Sequence, residues 1–319
     1  MTEMASSSPV ATPTVPFARV IGIAVALGLL AAAPVFVGQY GLSVALNLFM
    51  SIALAESWLI LSGFSGYVSL GHAVFFGLGS YIMAVCFDVM PFWAAIPLGG
   101  IAAGVLALVL GFPALNVRGP YFVILTFGLA ELVKFVVVTI ESAVGNFGRI
   151  LMNAPDITLL YELMFGLAVL AFALVAVVQR SRLGAALRAI REDESAAETI
   201  GINVHTAKVA AFVLSAIIPG MVGAVMAMRS AYFEPMVAFS PMVSFTIVTT
   251  AMIGGSDTPM GPLLGAALLV GASELLWSHA PEVYNIILGI VLVVFVLHVP
   301  EGIHGRATAW VRRWERRAQ

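Results

Sequence analysis

The sequence has 319 residues, of which 61% are hydrophobic and 10% are charged, and its formal net charge is −2. Soluble domains carry about 25% charged residues because a water-facing surface needs them, so we exclude a soluble protein and expect a surface that mostly faces lipid. The net charge says nothing about nucleic acid, but no basic patch suggests such a partner. The single cysteine, Cys86, excludes an internal disulfide or a cysteine-based metal site.

Residues 1–16 are rich in Ser, Pro and Thr and lack a basic stretch, so we expect a disordered lead and not a signal peptide. A membrane-spanning helix needs about 20 mainly apolar residues. Ten continuous apolar segments follow, at 17–37, 41–61, 73–90, 92–112, 121–140, 161–179, 208–230, 241–254, 262–278 and 283–299. The third, eighth and ninth are short and bordered by glycine, so the span count is eight to ten. The predicted fold class is an all-α polytopic transmembrane bundle over residues 17–305.

Basic residues indicate the orientation, because Lys and Arg concentrate in cytoplasmic loops. They gather in the segment 180–207 and in the tail 306–319, and four predicted spans separate the two. Both regions can therefore lie inside, which also places the N-terminus and Arg118 inside. We predict two cytoplasmic termini, a basic cytoplasmic tail over 306–319 and an external segment over 141–160.

The segment 180–207 is the longest polar connection, and its periodicity predicts a helix over 185–200. Gly201 followed by Asn203 predicts the stop of that helix. An apolar stripe runs through Leu187, Ile190, Ala197 and Gly201, interrupted by Glu194. The opposite face is charged and carries Arg188, Arg191, Glu192 and Asp193. Arg188 and Glu192 are spaced to pair. The segment could lie on the membrane surface or dock against a soluble partner; a lipid-binding helix would be mainly basic, so the mixed charges favour docking.

The stretch SAAETIG, from Ser195 to Gly201, resembles the EAA-loop of ABC importer permeases, with Ser195 where that family usually has Glu. The resemblance implies that this loop contacts the ATPase subunit. We therefore expect Leu187 and Ile190 to be buried in a groove of the ATPase and Arg188 and Arg191 to pair with its acidic residues. The full set of candidate coupling residues is Leu187, Arg188, Ile190, Arg191, Glu192, Asp193, Glu194, Ala197 and Gly201.

A wider resemblance is to the M-type subunit of the branched-chain amino-acid permeases. It is carried, in order, by GFSGYVSLGHAVFFGLGSY (63–81), LNVRGPYFVILTFGLAELVKFV (115–136), SRLGAALRAIREDESAAETIGINV (181–204), MIGGSDTPMGPLLGAALL (252–269) and VPEGIHG (299–305). The segment 255–260 departs from the family, which more often has Gly-x-Gly-Ser, an aromatic residue and Gly-Pro. The resemblance implies an inner-membrane importer of branched-chain or related small amino acids, and relatives take urea or amides. The implied partners are a second permease subunit, H-type or identical, ABC ATPase subunits and a periplasmic substrate-binding protein.

The chain lacks the motif that would let it hydrolyse ATP. A phosphate-binding loop requires Lys after Gly, and neither Lys134 nor Lys208 follows a glycine. Hydrolase signatures of the H-E-x-x-H and G-x-S-x-G types are also missing. We therefore expect a transport subunit that is not an enzyme, holds no cofactor or metal, and depends on ATP bound by a partner. A stand-alone ion-coupled transporter is the alternative, but it would need more charges deep in its spans.

Two glycine-rich breaks interrupt apolar runs, at 62–67 and 254–259. Broken helices expose backbone groups that suit a zwitterion, yet both breaks could be plain turns between spans. The candidate pathway residues are Glu56, Ser65, Tyr67, Ser69, His72, Gly254, Gly255 and Ser256. For Glu56 a helix contact and a cavity-lining role are equally open, and His72 could face the cavity or bond a carbonyl.

Two further charged positions lie within predicted spans. Glu131 and Lys134 are three residues apart, so we expect an ion pair near the inner end of the fifth span. Glu274 is expected at the membrane interface.

Overall fold

The computed structural model describes residues 30–145, 148–151, 155–230 and 232–279, together with the single residues 28, 286, 289 and 290. Most of the first predicted span, nearly all of the tenth, the N-terminal lead and the basic tail lie outside the described residues. Within the described part the chain is helical apart from one pair of two-residue strands, so the predicted all-α membrane bundle is confirmed.

The helices and strands follow one another along the chain with short connections. They are α1 (Ala33–Phe36), α2 (Gln39–Trp58) continued by a π-helix (Leu59–Gly63), α3 (His72–Cys86), α4 (Phe92–Ala114), α5 (Pro120–Val144), β1 (Arg149–Ile150), α6 (Ile157–Arg180), α7 (Arg182–Glu192), α8 (Glu194–Thr199), α9 (Val204–Ser230), β2 (Tyr232–Phe233), α10 (Pro235–Ala238), α11 (Pro241–Gly254) and α12 (Met260–His279).

Six helical segments among the described residues are long and apolar enough to cross a membrane. They are Gln39–Gly63, Phe92–Ala114, Pro120–Val144, Ile157–Arg180, Val204–Ser230 and Pro235–Gly254, and the shorter apolar helices are His72–Cys86 and Met260–Leu276. These eight elements coincide one for one with the second to ninth predicted spans. The eighth is longer than predicted, because α10 extends it back to Pro235.

Glycines allow α3, α4 and α9 to pack closely at the centre of the bundle. A Cβ atom at Gly79 would collide with the carbonyl of Gly220, and one at Gly223 would collide with the carbonyl of Phe76. A Cβ at Gly220 would in turn lie 2.5 Å from the carbonyl oxygen of Gly99. Lipid offers no hydrophobic drive for helices to associate, so close backbone approach at small residues supplies the packing energy.

The bundle has two ends of different character. At one, which we call the basic end, lie the connections 64–71, 115–119, 181–203 and 255–259. At the opposite end, β1 pairs with β2 and so joins the connections before α6 and before α10. Successive long helices run alternately between these ends, which is the alternation that the predicted orientation requires.

Helix α5 is the least covered of the six long segments. Only 11% of the most apolar 18-residue stretch of α5 is buried inside the chain, against 72% of the corresponding stretch of Gln39–Gly63. The predicted pair is present, with Lys134 Nζ 2.8 Å from Glu131 Oε2. It lies near the middle of α5 and not at the inner end, because α5 begins at Pro120, 11 residues before Glu131. The uncovered face of α5 is therefore available to lipid or to another subunit.

Candidate functional site

The segment predicted as one helix over 185–200 is two helices, α7 and α8, separated by Asp193. Asp193 has extended backbone angles, and its carboxylate accepts hydrogen bonds from the backbone N–H groups of Ser195 and Ala196 at 2.8 and 3.0 Å. An aspartate in this position satisfies the free N–H groups of a new helix better than it continues the old one. The prediction of a continuous helix was therefore wrong.

The apolar stripe of α7 and α8 packs against the bundle itself. Leu187 is 0% exposed, Ile190 4% and Ala197 1%, in the same apolar cluster as Phe64 and Val178. The expectation that Leu187 and Ile190 insert into an ATPase is corrected: they belong to this chain's own core. Amphipathic periodicity revealed which face is buried but could not identify what covers it, since both possible partners are apolar.

A partly buried ionic cluster centred on Glu194 holds α8 in place. Glu194 accepts a hydrogen bond from Lys208 Nζ on Oε1 at 2.8 Å and one from the Tyr67 hydroxyl on Oε2 at 2.6 Å, and Arg118 Nε lies 3.2 Å from Oε2. The Lys208 side chain is 3% exposed and also donates to the carbonyl of Leu115 at 3.0 Å. The cluster thus ties α8 and α9 to the connections before α3 and before α5.

The surroundings of this cluster explain its ionisation. Burial alone would raise the pKa of the Glu194 carboxyl, but the hydrogen bonds from Lys208 and Tyr67 outweigh it and hold that pKa below its ordinary value. Burial, and then the hydrogen bond to Glu194, raise the pKa of the Tyr67 hydroxyl. Glu194 is therefore a charged acceptor and Tyr67 a neutral donor at physiological pH.

Arg191 connects the two glycine-rich breaks. Its guanidinium donates to the carbonyl of Gly63 at 2.9 Å and to Asp257 Oδ1 at 2.7 Å. The breaks also touch directly, because a Cβ at Gly63 would lie 2.6 Å from the carbonyl oxygen of Ser256. Gly255 has a φ of 109°, which favours glycine. Both breaks are therefore turns at the basic end, packed against each other beneath α7.

The predicted stop at Gly201 is confirmed. Gly201 has a φ of 87°, its N–H bonds the carbonyl of Glu198, and the N–H of Ile202 bonds the carbonyl of Ala197, which is a Schellman motif. Asn203 then caps α9 by accepting from the N–H of Thr206 at 3.0 Å. Open space surrounds the position of a Gly201 Cβ, so a substitution there is opposed by backbone strain and not by a clash within the chain.

The face of α7 and α8 that points away from the bundle is exposed; we call it the outer face. Ile200 is 74% exposed on it. Arg188 donates to the carbonyl of Gln179 at 3.0 Å, where pairing with Glu192 was expected. The exposed residues of the outer face are Ala185, Arg188, Glu192, Asp193, Ser195, Ala196, Glu198, Thr199 and Ile200.

The predicted pathway residues at the basic end mostly have structural contacts. The hydroxyl of Ser65 donates to the carbonyl of Leu61 at 2.7 Å, and Ser69 accepts from the indole of Trp58 through its carbonyl at 2.9 Å. Gly254 packs on Gly261 of α12, where a Cβ would collide with the Gly261 carbonyl. These residues shape the turns and line none of the cavities at the opposite end.

Glu56 and His72 are buried without a hydrogen-bond partner among the described residues. The imidazole of His72 packs edge-on against the rings of Phe75 and Phe212, with centroids 5.7 and 6.4 Å apart. The alternative in which His72 bonds a carbonyl is therefore not found among the described residues. Glu56 lies in the buried part of α2, outside the described cavities, and its two predicted roles remain predictions.

A cavity of about 540 Å³ lies at the opposite end, between α2, α9, α11 and α12. Tyr40, Arg229 and Glu274 line it, and the hydroxyl of Tyr40 donates to Glu274. Sequence reasoning missed Arg229 and placed Glu274 at the membrane interface. One signal was available: Arg229 ends a predicted span on the side assigned to the exterior, where arginine is uncommon.

Comparison with known proteins agrees with these features. Residues 40–296 match the family described as branched-chain amino acid transport system / permease component. The chain is 27% identical to the high-affinity branched-chain amino acid transport system permease protein LivM of Escherichia coli, over 88% of this chain and 73% of that protein. It is 26% identical to LivM of Salmonella typhimurium, over 85% and 71%, and 23% identical to LivH of that organism, over 79% and 90%.

No solved structure matches the chain. The family match nevertheless covers most of the sequence, including the bundle, the α7–α8 segment and both glycine-rich turns. The chain therefore belongs to the permease-component family of branched-chain amino acid transport systems and is a multi-pass inner-membrane transport protein.

Proposed function

We propose that the chain is the membrane-spanning subunit of an ABC importer that carries branched-chain or related small amino acids, with ATP hydrolysed by separate ATPase subunits. The family match and the names of the relatives support the substrate class. A second permease subunit completes the translocation unit, and a periplasmic binding protein delivers the substrate.

One observation carries the coupling role. The α7–α8 segment is fixed to the bundle by Leu187, Ile190 and the Glu194–Lys208 pair, so a force on its outer face is transmitted to α9 and to both glycine-rich turns. The outer face carries the exposed Ile200 and charges of both signs, Arg188 with Glu192 and Glu198. A face that combines an apolar side chain with charges suits a groove in a soluble protein, and we assign that groove to the ATPase.

The orientation follows from the same assignment. ATPase subunits are cytoplasmic, so the basic end faces the cytoplasm and the opposite end faces the periplasmic binding protein. This agrees with the arginines of the basic end. We propose ten spans and two cytoplasmic termini. A cysteine placed at 148–151 should then react with a membrane-impermeant reagent added outside.

The decisive experiment compares two exposed apolar side chains. Ile200 is 74% exposed on the outer face, and Val89 is 82% exposed at the opposite end. Ile200→Asp should leave insertion unchanged but reduce co-purification of a tagged ATPase, because a carboxylate buried in an apolar contact costs about 1–3 kcal/mol, or roughly tenfold in affinity. Val89→Asp is the matched control and should retain the ATPase.

Uptake by the assembled complex tests the substrate class. Leucine, isoleucine and valine should be taken up in preference to urea and short amides. Normal ATPase binding and normal uptake in Ile200→Asp would contradict the coupling role. Uptake of urea without uptake of aliphatic amino acids would reassign the substrate while leaving the permease function intact.

A further inference from the structure

Two adjoining cavities at the opposite end differ in chemistry. The larger, about 540 Å³, is lined by charged and polar side chains near the ends of α2, α9 and α12. The smaller, about 170 Å³, is lined largely by apolar residues of α2, α3 and α11, including Leu54, Phe76 and Ile247. Met50, Ser51 and Thr246 line both. Together they form one amphiphilic site, charged near the end of the bundle and apolar towards its middle.

The two charges of the larger cavity are held by neutral groups. The guanidinium of Arg229 donates to Asn47 Oδ1 at 2.5 Å and to the hydroxyl of Ser43 at 2.6 Å. The carboxylate of Glu274 accepts from the hydroxyl of Tyr40. Neither takes part in the five ion pairs found among the described residues. A guanidinium and a carboxylate thus face one cavity, oriented by neutral partners and not neutralised by each other.

We propose that this pair of cavities binds an aliphatic amino acid as a zwitterion, with its carboxylate on Arg229, its ammonium group on Glu274 and its side chain in the smaller cavity. The planar guanidinium donates in a fork that matches a carboxylate. A carboxylate provides the complementary acceptor for an ammonium group. The inference rests on the proposed function and locates a binding site within this subunit.

The lining of the smaller cavity explains why the side chain of the bound amino acid should be aliphatic. The hydroxyls of Ser51, Thr246 and Thr250 donate to carbonyls four residues earlier in their own helices, at 2.9, 2.9 and 2.7 Å. These hydroxyl groups therefore have no free O–H to donate to a ligand. A polar ligand side chain would lose its hydrogen bonds to water without receiving a hydrogen bond from them. Leucine should bind better than asparagine, which is close to it in shape but polar.

The test uses the assembled complex without its binding protein and measures ligand binding by titration of thermal stability. The probes are L-leucine, 4-methylpentanoate, which lacks the ammonium group, and 3-methylbutylamine, which lacks the carboxylate. Arg229→Met should weaken the binding of leucine and 4-methylpentanoate about tenfold or more and leave the binding of 3-methylbutylamine unchanged. Glu274→Gln should weaken the binding of leucine and 3-methylbutylamine and leave the binding of 4-methylpentanoate unchanged. A merely structural role would not produce this crossed pattern.

Two further variants serve as controls. Glu162→Gln makes the same change on an exposed residue of α6 outside the cavity and should bind leucine normally. Arg229→Lys keeps the charge without the fork and should retain part of the leucine affinity even if Arg229→Met folds poorly.

The outcomes separate the two proposals. Unchanged leucine binding and uptake in both Arg229→Met and Glu274→Gln would overturn the site and leave the proposed function standing. Equal weakening of all three probes by either variant would also overturn it. A complex of unmodified subunits that takes up no aliphatic amino acid would overturn the proposed function and the site together.

Discussion

The two charged regions of the bundle differ in the partners of their charged side chains. At the basic end, Glu194 is 13% exposed and contacts both Lys208 and Arg118, so opposite charges neutralise each other inside the chain. In the cavity at the opposite end, Arg229 and Glu274 have neutral partners. The first arrangement clamps helices together. The second leaves charge available to a ligand.

This difference between charged and neutral partners does not follow simply from which end of the bundle a residue occupies. Arg149 and Glu141 lie at the same end as the cavity, and they pair at 2.9 Å with the hydroxyl of Tyr81 as a further donor. Among the described residues, Arg229 therefore has no ion-pair partner, in a region where another arginine has one. A charge near the membrane is costly without compensation, so such an arrangement is a functional hypothesis by default.

The largest expected effect comes from Lys208→Met, which leaves Glu194 charged and mostly buried without its main partner. Breaking a buried pair costs about 3 kcal/mol, so the unfolding midpoint of the purified chain should fall clearly. Arg229→Met removes hydrogen bonds to neutral partners and leaves no opposite charge unpaired, so it should lower the unfolding midpoint less than Lys208→Met does.

The double variant Lys208→Met/Glu194→Gln checks the cause, since removing both charges should recover part of the loss. A single Lys208→Met variant as stable as the unmodified chain would show that the cluster is not a clamp.

An intermediate effect is expected for Gly63→Ala. The added methyl group would meet the backbone carbonyl of Ser256 at 2.6 Å, so the two glycine-rich turns must separate, at a cost of about 1–3 kcal/mol. Gly128→Ala is the matched control, because no atom lies within 4 Å of its Cβ position in α5. Thermal unfolding and uptake should both decline in the first variant and be unchanged in the second. Equal behaviour of the two would argue against direct packing of the turns.

The smallest effect is expected for Arg191→Gln. Its pair with Asp257 is 42% and 58% exposed, and exposed pairs contribute less than about 1 kcal/mol and weaken in salt. Stability should be nearly unchanged by Arg191→Gln or by Asp257→Asn, measured as the unfolding midpoint at low and high salt. A loss as large as that of Lys208→Met would mean that this bridge is also a clamp.

Much of the architecture was readable from hydropathy. Eight of the ten predicted spans fall within the described residues and match helices there, because a membrane requires continuous apolar segments whatever their neighbours are. The family was equally accessible, since its motifs are local in sequence. The break at Asp193 was missed although aspartate is a common N-cap, because the apolar stripe continues across it.

The sequence by itself therefore determined the membrane class, the eight apolar helical elements that match predicted spans, the position of the turn at Gly201 and the family. Only the tertiary structure decided that Leu187 and Ile190 face inward, that Lys208 meets Glu194, and that Arg191 joins two distant turns. It also brought Arg229 and Glu274, 45 residues apart in the chain, to one cavity. The physical reason is that a segment enters the membrane because of its own apolar residues, which can be read locally. The partner of a charged side chain instead depends on which helices pack beside it, and only the tertiary structure shows that.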